Sequence, residues 1–280
     1  MKISFFRAAF LIALCSCTSL MAKIYDCFLF YNEFEILNIR LEELNDSVDY
    51  FVLVESCETF RGAPKPFHFD ENKHLYEKFL HKIIHVKLYD RQPNTGAWER
   101  ESFQRNCIAR GLTHCVNNDV IFISDLDEIP RHEIIPSIQY NLLHKHVYGF
   151  ALQQTIYFFQ LNRSPPNGLH EGTLWFGTAV TTYKNFKTKG AQSFREKSRA
   201  QKLEKIYNAG WHFTYMGGLE TVKAKIQGFS HGFDDVSYLD TDWDMYLVSR
   251  PAVPIDDSFP KYVIDNLEYY KSIGFIADYP

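Results

Sequence analysis

The chain has 280 residues, of which 46% are hydrophobic, 16% aromatic and 23% charged. That is enough apolar material for a well-filled core, and it excludes the disordered and fibrous classes. The formal charge of −4 comes without a basic tract of the kind that neutralises a phosphate backbone, which argues against nucleic acid as a partner.

Lys2 and Arg7 precede the apolar run Ala8 to Leu14, and small or polar residues follow as far as Ala22. This is the layout of a signal peptide or signal anchor over 1–22, with the run shorter than the roughly 20 apolar residues of a membrane span. "LCSC" (Leu14 to Cys17) is also close to a lipoprotein processing site. The expected location is therefore outside the cytoplasm or on a membrane: the Golgi lumen in a eukaryote, the cell envelope or cytoplasmic membrane in a bacterium. Export would make the sequons at Asn45 and Asn162 usable and would permit disulfides among Cys27, Cys57, Cys107 and Cys115. Cys107 and Cys115 are the nearest pair, and burial as small hydrophobes is the competing expectation. No C-x-x-C spacing points to zinc.

From Lys23 the chain alternates strand and helix patterns. "KIYDCFLFY" reads as a strand, and "NEFEILNIRLEEL" as a helix with Asn32 and Glu35 as its capping pair. "YFVLVES" and "KIIHVKLY" are further strands, and Trp98 to Leu112 reads as a helix with Gly111 near its end. "DVIFIS" is the fourth strand and delivers Asp125, Asp127 and Glu128 at its carboxyl end. Such alternation predicts an α/β fold with a mostly parallel sheet flanked by helices, whose ligands bind beyond the carboxyl ends of the strands. The carboxyl-terminal half is more irregular. It has an antiparallel-looking "VYGFALQQTIYFFQL", a loop, a strand in "TLWFGTAVTTY", a charged, partly helical "FREKSRAQKLEKIYNAGWHF", and a last helix from Leu219 to Phe229. The simplest division is one domain over 23–280, with a nucleotide-binding half over 23–135 and an acceptor-side half over 136–280.

Two aspartates at i and i+2 just past a strand can share one hard cation. Mg²⁺ and Mn²⁺ take few protein carboxylates and leave room for water and phosphate oxygens. A metal held there would act as a Lewis acid on a departing diphosphate. On these grounds Asp127 is the first choice for metal ligation, with Asp125 on the metal, a metal-bound water or the ribose, and Glu128 orienting both.

"DLDEIP", preceded by "WERESFQRN", resembles glycosyltransferase family 17, and "YNEFEILNIRLEEL", "VLVESCETFRGAPKPFHF", "WFGT" and "GWHFTYMGG" look like blocks of that family in the expected order. The resemblance implies a GT-A-like nucleotide-sugar-binding fold and an inverting, metal-assisted transfer from a UDP-sugar. It further implies N-acetylglucosamine from UDP-GlcNAc as the sugar and a β-1,4 link to a mannose of a glycan or glycoprotein acceptor. The donor residues expected are Asp125, Glu55, Arg105 and Asn106, with Arg195 and Arg199 gripping the diphosphate. His212 in "GWHF" is expected as a metal or diphosphate contact, with His231 a weaker one. Trp175, Trp211 and Tyr215 could stack on sugar faces, although core packing is the commoner fate of such rings. An inverting reaction needs a general base, and Glu171, Asp234 and Asp235 are the candidates.

Two other classes compete. A D-x-D phosphatase would need the first aspartate as nucleophile and the usual Gly-Thr after the motif, where this chain has Glu128-Ile129. A sugar-nucleotide or glycan-binding protein without turnover would keep the fold and lose the base.

Overall fold

The structure, a computed structural model, describes residues 22–165, 174–230 and 235–279. The expected signal segment lies outside these, apart from Ala22, as do Glu171, His231 and Asp234. No helix among the described residues is long and apolar enough to cross a membrane.

The amino-terminal half is built as the alternation predicts. In chain order, β1 (Ile24–Leu29), α1 (Phe34–Leu44), β2 (Tyr50–Ser56), the short α2 (His68–Asn72) and β3 (Ile83–Leu88) lead to α3 (Ala97–Asn106) and β4 (Val120–Asp125). β1 is buried at every position and β4 at every position but its last, the pattern of strands covered on both faces. α3 ends at Asn106 and continues as a 3-10 turn over Cys107–Gly111, where an added Cβ on Gly111 would press into Val52 and Val86. The four strands pair in parallel in the order β3-β2-β1-β4. The order reverses at β1, so the carboxyl ends of β1 and β4 flank the crevice where nucleotides bind in doubly wound sheets.

Beyond β4 the pattern becomes mixed. β5 (Glu128–Pro130) and α4 (Ile135–His144) precede β6 (Gly149–Phe158) and β7 (Trp175–Thr182). α5 (Tyr183–Lys189), α6 (Ala191–Arg199), β8 (Glu204–Ile206), β9 (Gly210–Thr214) and α7 (Gly218–Gly228) follow. β7 pairs antiparallel with β4 and β6, β6 pairs in parallel with β8 and β9, and β9 pairs antiparallel with β5. The result is a nine-stranded α/β sheet ordered β3-β2-β1-β4-β7-β6-β9-β5, with β8 on β6.

Four sequence expectations change. The helix at Leu219 to Phe229 is present as α7 but is not the last, since α8 (Tyr238–Val248), α9 (Lys261–Asp265) and α10 (Leu267–Ser272) follow. Their periodicity is short and broken by Pro251, Pro254 and Pro260, which hid them. Asn32 and Glu35 do not cap α1: Glu33 accepts the Asn32 N–H at 3.1 Å, and Glu35 accepts the Tyr269 hydroxyl at 2.9 Å. Cys27, Cys57, Cys107 and Cys115 are all free thiols. Asn162 is 1% exposed, and its side chain bonds Val253, Ala277 O and Ala277 N, so its sequon is closed inside the fold.

Candidate active site

The acidic loop is shaped from below by a side chain on α1. Arg40 is fully buried and holds Asp26 of β1 through two contacts, Nε to Oδ2 at 2.7 Å and Nη2 to Oδ1 at 2.6 Å. Its Nη1 donates to the carbonyl oxygens of Asp125, Leu126 and Glu128 at 2.9–3.0 Å, while Nη2 also reaches Ser124 Oγ. A planar guanidinium with donors on a fixed fork can serve such a turn, where a lysine could not. Three residues past β4 the chain re-enters the sheet as β5, with Glu128 paired to His212 of β9.

Each acid in the loop has its own counter-charges. Asp125 accepts from Arg105 Nη1 of α3 at 2.5 Å and from Arg195 Nη2 of α6 at 2.6 Å. Burial alone would push its carboxyl up, but the Arg105 and Arg195 charges outweigh burial and hold it at about 2. Glu128, with no exposed surface, takes both terminal nitrogens of Arg195 at 2.6–2.7 Å and the indole N–H of Trp175 at 2.5 Å. Gly177 makes this packing possible, because a Cβ there would overlap Glu128 Oε1 and Trp175 Nε1. Asp127 accepts from Lys225 Nζ of α7 at 2.7 Å, and His212 Nε2 lies 3.5 Å from its other oxygen. Burial raises the Asp127 carboxyl, yet the Lys225 charge, then that of His212, leaves it far below the usual carboxylate range. Lys225, 4% exposed, also pairs with Glu33 at 3.3 Å, and these two carboxylates raise its ammonium despite burial.

Above this floor a pocket opens between the carboxyl ends of β1, β2 and β4. Tyr31, Phe60 and Phe229 supply aromatic walls, and Lys65 and Lys225 supply positive charge. Glu33, Glu58, Glu101, Asp125 and Asp127 supply negative charge. A concave site with a few convergent charges at the switch point is what a nucleotide-diphosphate ligand requires.

The residues singled out from sequence divide into groups. Asp125, Asp127, Glu128, Arg105, Arg195 and His212 are brought together. Arg199 is exposed and lies flat on the Trp175 ring, 3.4 Å from its centroid. Asn106 is exposed and accepts the Gln192 N–H at the start of α6. Glu55 has no exposed surface; its carboxylate is taken by the Phe69 N–H, Lys65 and His85, and it is absent from the pocket lining. Trp211 packs in the core, with Arg131 over its face and its N–H on Ser258 O. Asp235 is exposed and bound to the Ser237 N–H and hydroxyl. Arg40, Glu33, Lys65 and Lys225 were missed. Arg40 and Lys225 sit one residue from apolar positions on amphipathic helices, where their charges read as solvated faces; burial is visible only in three dimensions.

Among the described residues, the acid and histidine set with metal-ligand spacing is Glu43, His132 and Glu133 rather than Asp125, Asp127 and His212. Asp125 has both oxygens committed to guanidinium groups, whereas Asp127 Oδ1 has no hydrogen bond among those residues closer than the His212 approach. The loop therefore fits a cation held by one protein carboxylate oxygen and completed by phosphate and water, a common arrangement for Mg²⁺ and Mn²⁺.

The structure thus defines an α/β protein with a doubly wound half and an acid-bearing pocket at its switch point. Within that class, the chain belongs to glycosyltransferase family 17, whose family model matches residues 14–242. The chain is 31% identical over 137 residues to the human β-1,4-mannosyl-glycoprotein 4-β-N-acetylglucosaminyltransferase, covering 46% of this chain and 26% of the human protein. The rat protein of the same name is 31% identical over the same length, with 25% of it covered. The matched stretch thus spans about a quarter of these relatives. Among solved structures, the chain is similar to a mannosyltransferase from Pyrobaculum calidifontis in complex with GDP-Man and Mn²⁺. That match has a TM-score of 0.44 and 12% identity, covering 89% of this chain and 69% of that one. It is also similar to S. aureus TarS 1–349 in complex with UDP-GlcNAc, with a TM-score of 0.42 and 11% identity over 81% of this chain and 72% of that one.

Proposed function

We propose that the chain transfers a sugar, N-acetylglucosamine from UDP-GlcNAc, to a glycan hydroxyl with inversion at the anomeric carbon. The observation that carries this reading is Asp127. It is a carboxylate kept ionised at the carboxyl end of β4, with the Lys225 ammonium on one oxygen and only the longer, 3.5 Å approach of His212 on the other, in a pocket lined by Tyr31, Phe60 and Phe229. Family membership and the activity for which the human and rat relatives are named support the sugar and, by extension, a β-1,4 link to mannose.

In this reading the aromatic walls receive the uracil, and the diphosphate lies over the loop where Lys225 and Lys65 meet its charge. A divalent cation, Mn²⁺ or Mg²⁺, when bound, would supply Lewis-acid neutralisation of the leaving diphosphate, with Asp127 as its protein ligand. Asp125 positions: held by Arg105 and Arg195, it fixes the loop and the Arg195–Glu128–Trp175 triangle behind it. The acceptor hydroxyl attacks C1 from the face opposite the departing diphosphate and gives its proton to a carboxylate. Of Glu171, Asp234 and Asp235, the one described, Asp235, is held by the Ser237 hydroxyl and N–H, which lower its pKa and so weaken it as a base. A phosphatase reading is poorly served, because Asp125, the would-be nucleophile, has both oxygens occupied.

Calorimetric titration of UDP-GlcNAc with Mn²⁺, on wild type and Asp127→Asn, tests the proposal together with a UDP-release assay. Binding in wild type and its loss in the variant are expected. Equal binding in both removes Asp127 from the donor site, and binding without UDP release, whatever glycan is supplied, favours a sugar-nucleotide-binding protein.

A further inference from the structure

We propose that a second cavity, between α7 and α8, is a pyranose subsite that seats a ring of the acceptor next to the donor pocket; this rests on the transferase reading above. The cavity has a volume of ≈ 190 Å³, and its walls include Phe158, Phe159, Tyr215, Ile226, Tyr246 and Arg250. Phe229 lines this cavity and the donor pocket alike, so the two are neighbours across one ring. Helix α7 serves both, with Lys225 in the donor pocket and Val222 and Ile226 in the cavity.

Two features set the cavity apart from ordinary core packing. Phe159 and Tyr215 have φ of 67° and 59°, a conformation that aromatic residues hold only where the surroundings enforce it. They stand just past the ends of the parallel neighbours β6 and β9, where Phe159 N–H donates to Thr214 O, and their rings lie 6.1 Å apart. Arg250 sits with its guanidinium carbon 4.9 and 4.8 Å from the Phe158 and Phe159 ring centres, and its Nε is buried with no hydrogen-bond partner among the described residues. Its Nη1 donates to Tyr246 O at 2.8 Å and to Ser249 Oγ at 3.1 Å, which fixes the guanidinium in the cavity wall.

A pyranose suits a wall of aromatic rings and one guanidinium. Its C–H face carries partial positive charge that suits the negative faces of aromatic rings, while its rim hydroxyls accept from a guanidinium. A ring seated here lies across the Phe229 side chain from the pocket that Lys225 and Asp127 line.

Trp243, whose ring centre is 5.1 Å from that of Phe159, is a native reporter. Wild type is titrated with methyl β-D-mannopyranoside, and in parallel with methyl glucoside and methyl galactoside, while tryptophan fluorescence is followed; Trp243→Phe identifies the responding indole. The expected result is a saturable change with at least one glycoside, lost in Ile226→Trp, which fills the cavity, and weakened about tenfold or more in Arg250→Leu. Circular-dichroism spectra and thermal melts of both variants report whether they are folded. No saturable response with any of the three glycosides, or a response that neither variant alters, overturns the proposal. Because the glycoside titration needs no donor, failure of UDP-GlcNAc to bind would sink the transferase reading and leave this result standing.

Discussion

Arg40 and Asp26 form a buried two-point ion pair directly beneath the acidic loop, and the same guanidinium holds three carbonyl oxygens of that loop. Arg40→Met should therefore strand a fully buried carboxylate and release the loop backbone at once. The expected loss is about 3–5 kcal/mol in urea unfolding, the usual cost of breaking a buried pair from one side. Arg40→Lys keeps the charge but not the fork, and it should lose UDP-GlcNAc affinity even where stability partly returns. Wild-type stability in Arg40→Met would show that the pair does not support the loop.

Lys225 and Asp127 predict a coupled result. Either Lys225→Met or Asp127→Asn alone leaves a buried partner with less counter-charge, although Glu33 remains near Lys225 and His212 near Asp127. Thermal unfolding of the two single variants and the double variant should show non-additivity of about 0.5–3 kcal/mol, the double being milder than the sum. Additive losses would mean that the two groups do not interact.

Acid stability follows from the same charges. Asp125 titrates at about 2 in the fold, and Asp127 is depressed as well, whereas an unfolded aspartate titrates near 3.9. Groups with depressed pKa stabilise the fold above the unfolded value, and that contribution is lost as pH falls through the folded one. Stability measured by circular dichroism should fall from about pH 4 towards about pH 2. In Asp125→Asn the decline over this window should be shallower. An unchanged slope in the variant would contradict the assignment.

Gly177→Ala tests close packing behind the loop. A methyl group there overlaps the Glu128 carboxylate and the Trp175 indole, so one or both must move and the Arg195 contacts with them. A cost of about 1–3 kcal/mol is expected, typical of overpacking, together with weaker donor binding. A variant that matched wild type in both respects would show that the triangle can shift freely.

How much of this could be read from the chain depended on range. The boundaries of β2 and the core of β4 follow from continuous apolar runs, and the position of Asp125 and Asp127 follows from strand order, because both are local or nearly local signals. The partners of those acids are not local. Arg105 lies 20 residues away, Arg195 lies 70 from Asp125, and Lys225 lies 98 from Asp127. Nothing in "TVKAKIQG" separates Lys225, buried, from Lys223, which pairs with Glu220 and Asp240 at the surface. Glu55 shows the converse. Its place at the end of β2 is as legible as that of Asp125, but the strand turns its side chain onto Phe69 and His85 instead of into the pocket. In the second half β6 and β7 were legible as apolar runs, whereas the closing of β5 on β9 was hidden because a three-residue strand carries no periodicity.

That closure has a consequence for synthesis. A chain emerging from a ribosome completes the amino-terminal strands and the acidic loop long before α6, β9 and α7 exist. Until those last elements arrive, Asp125 lacks Arg195, Asp127 lacks His212 and Lys225, and Glu128 lacks its partner strand. The half-made protein thus carries a knot of like charges at the end of β4, and the loop reaches its native charge balance only when the far end of the sheet docks.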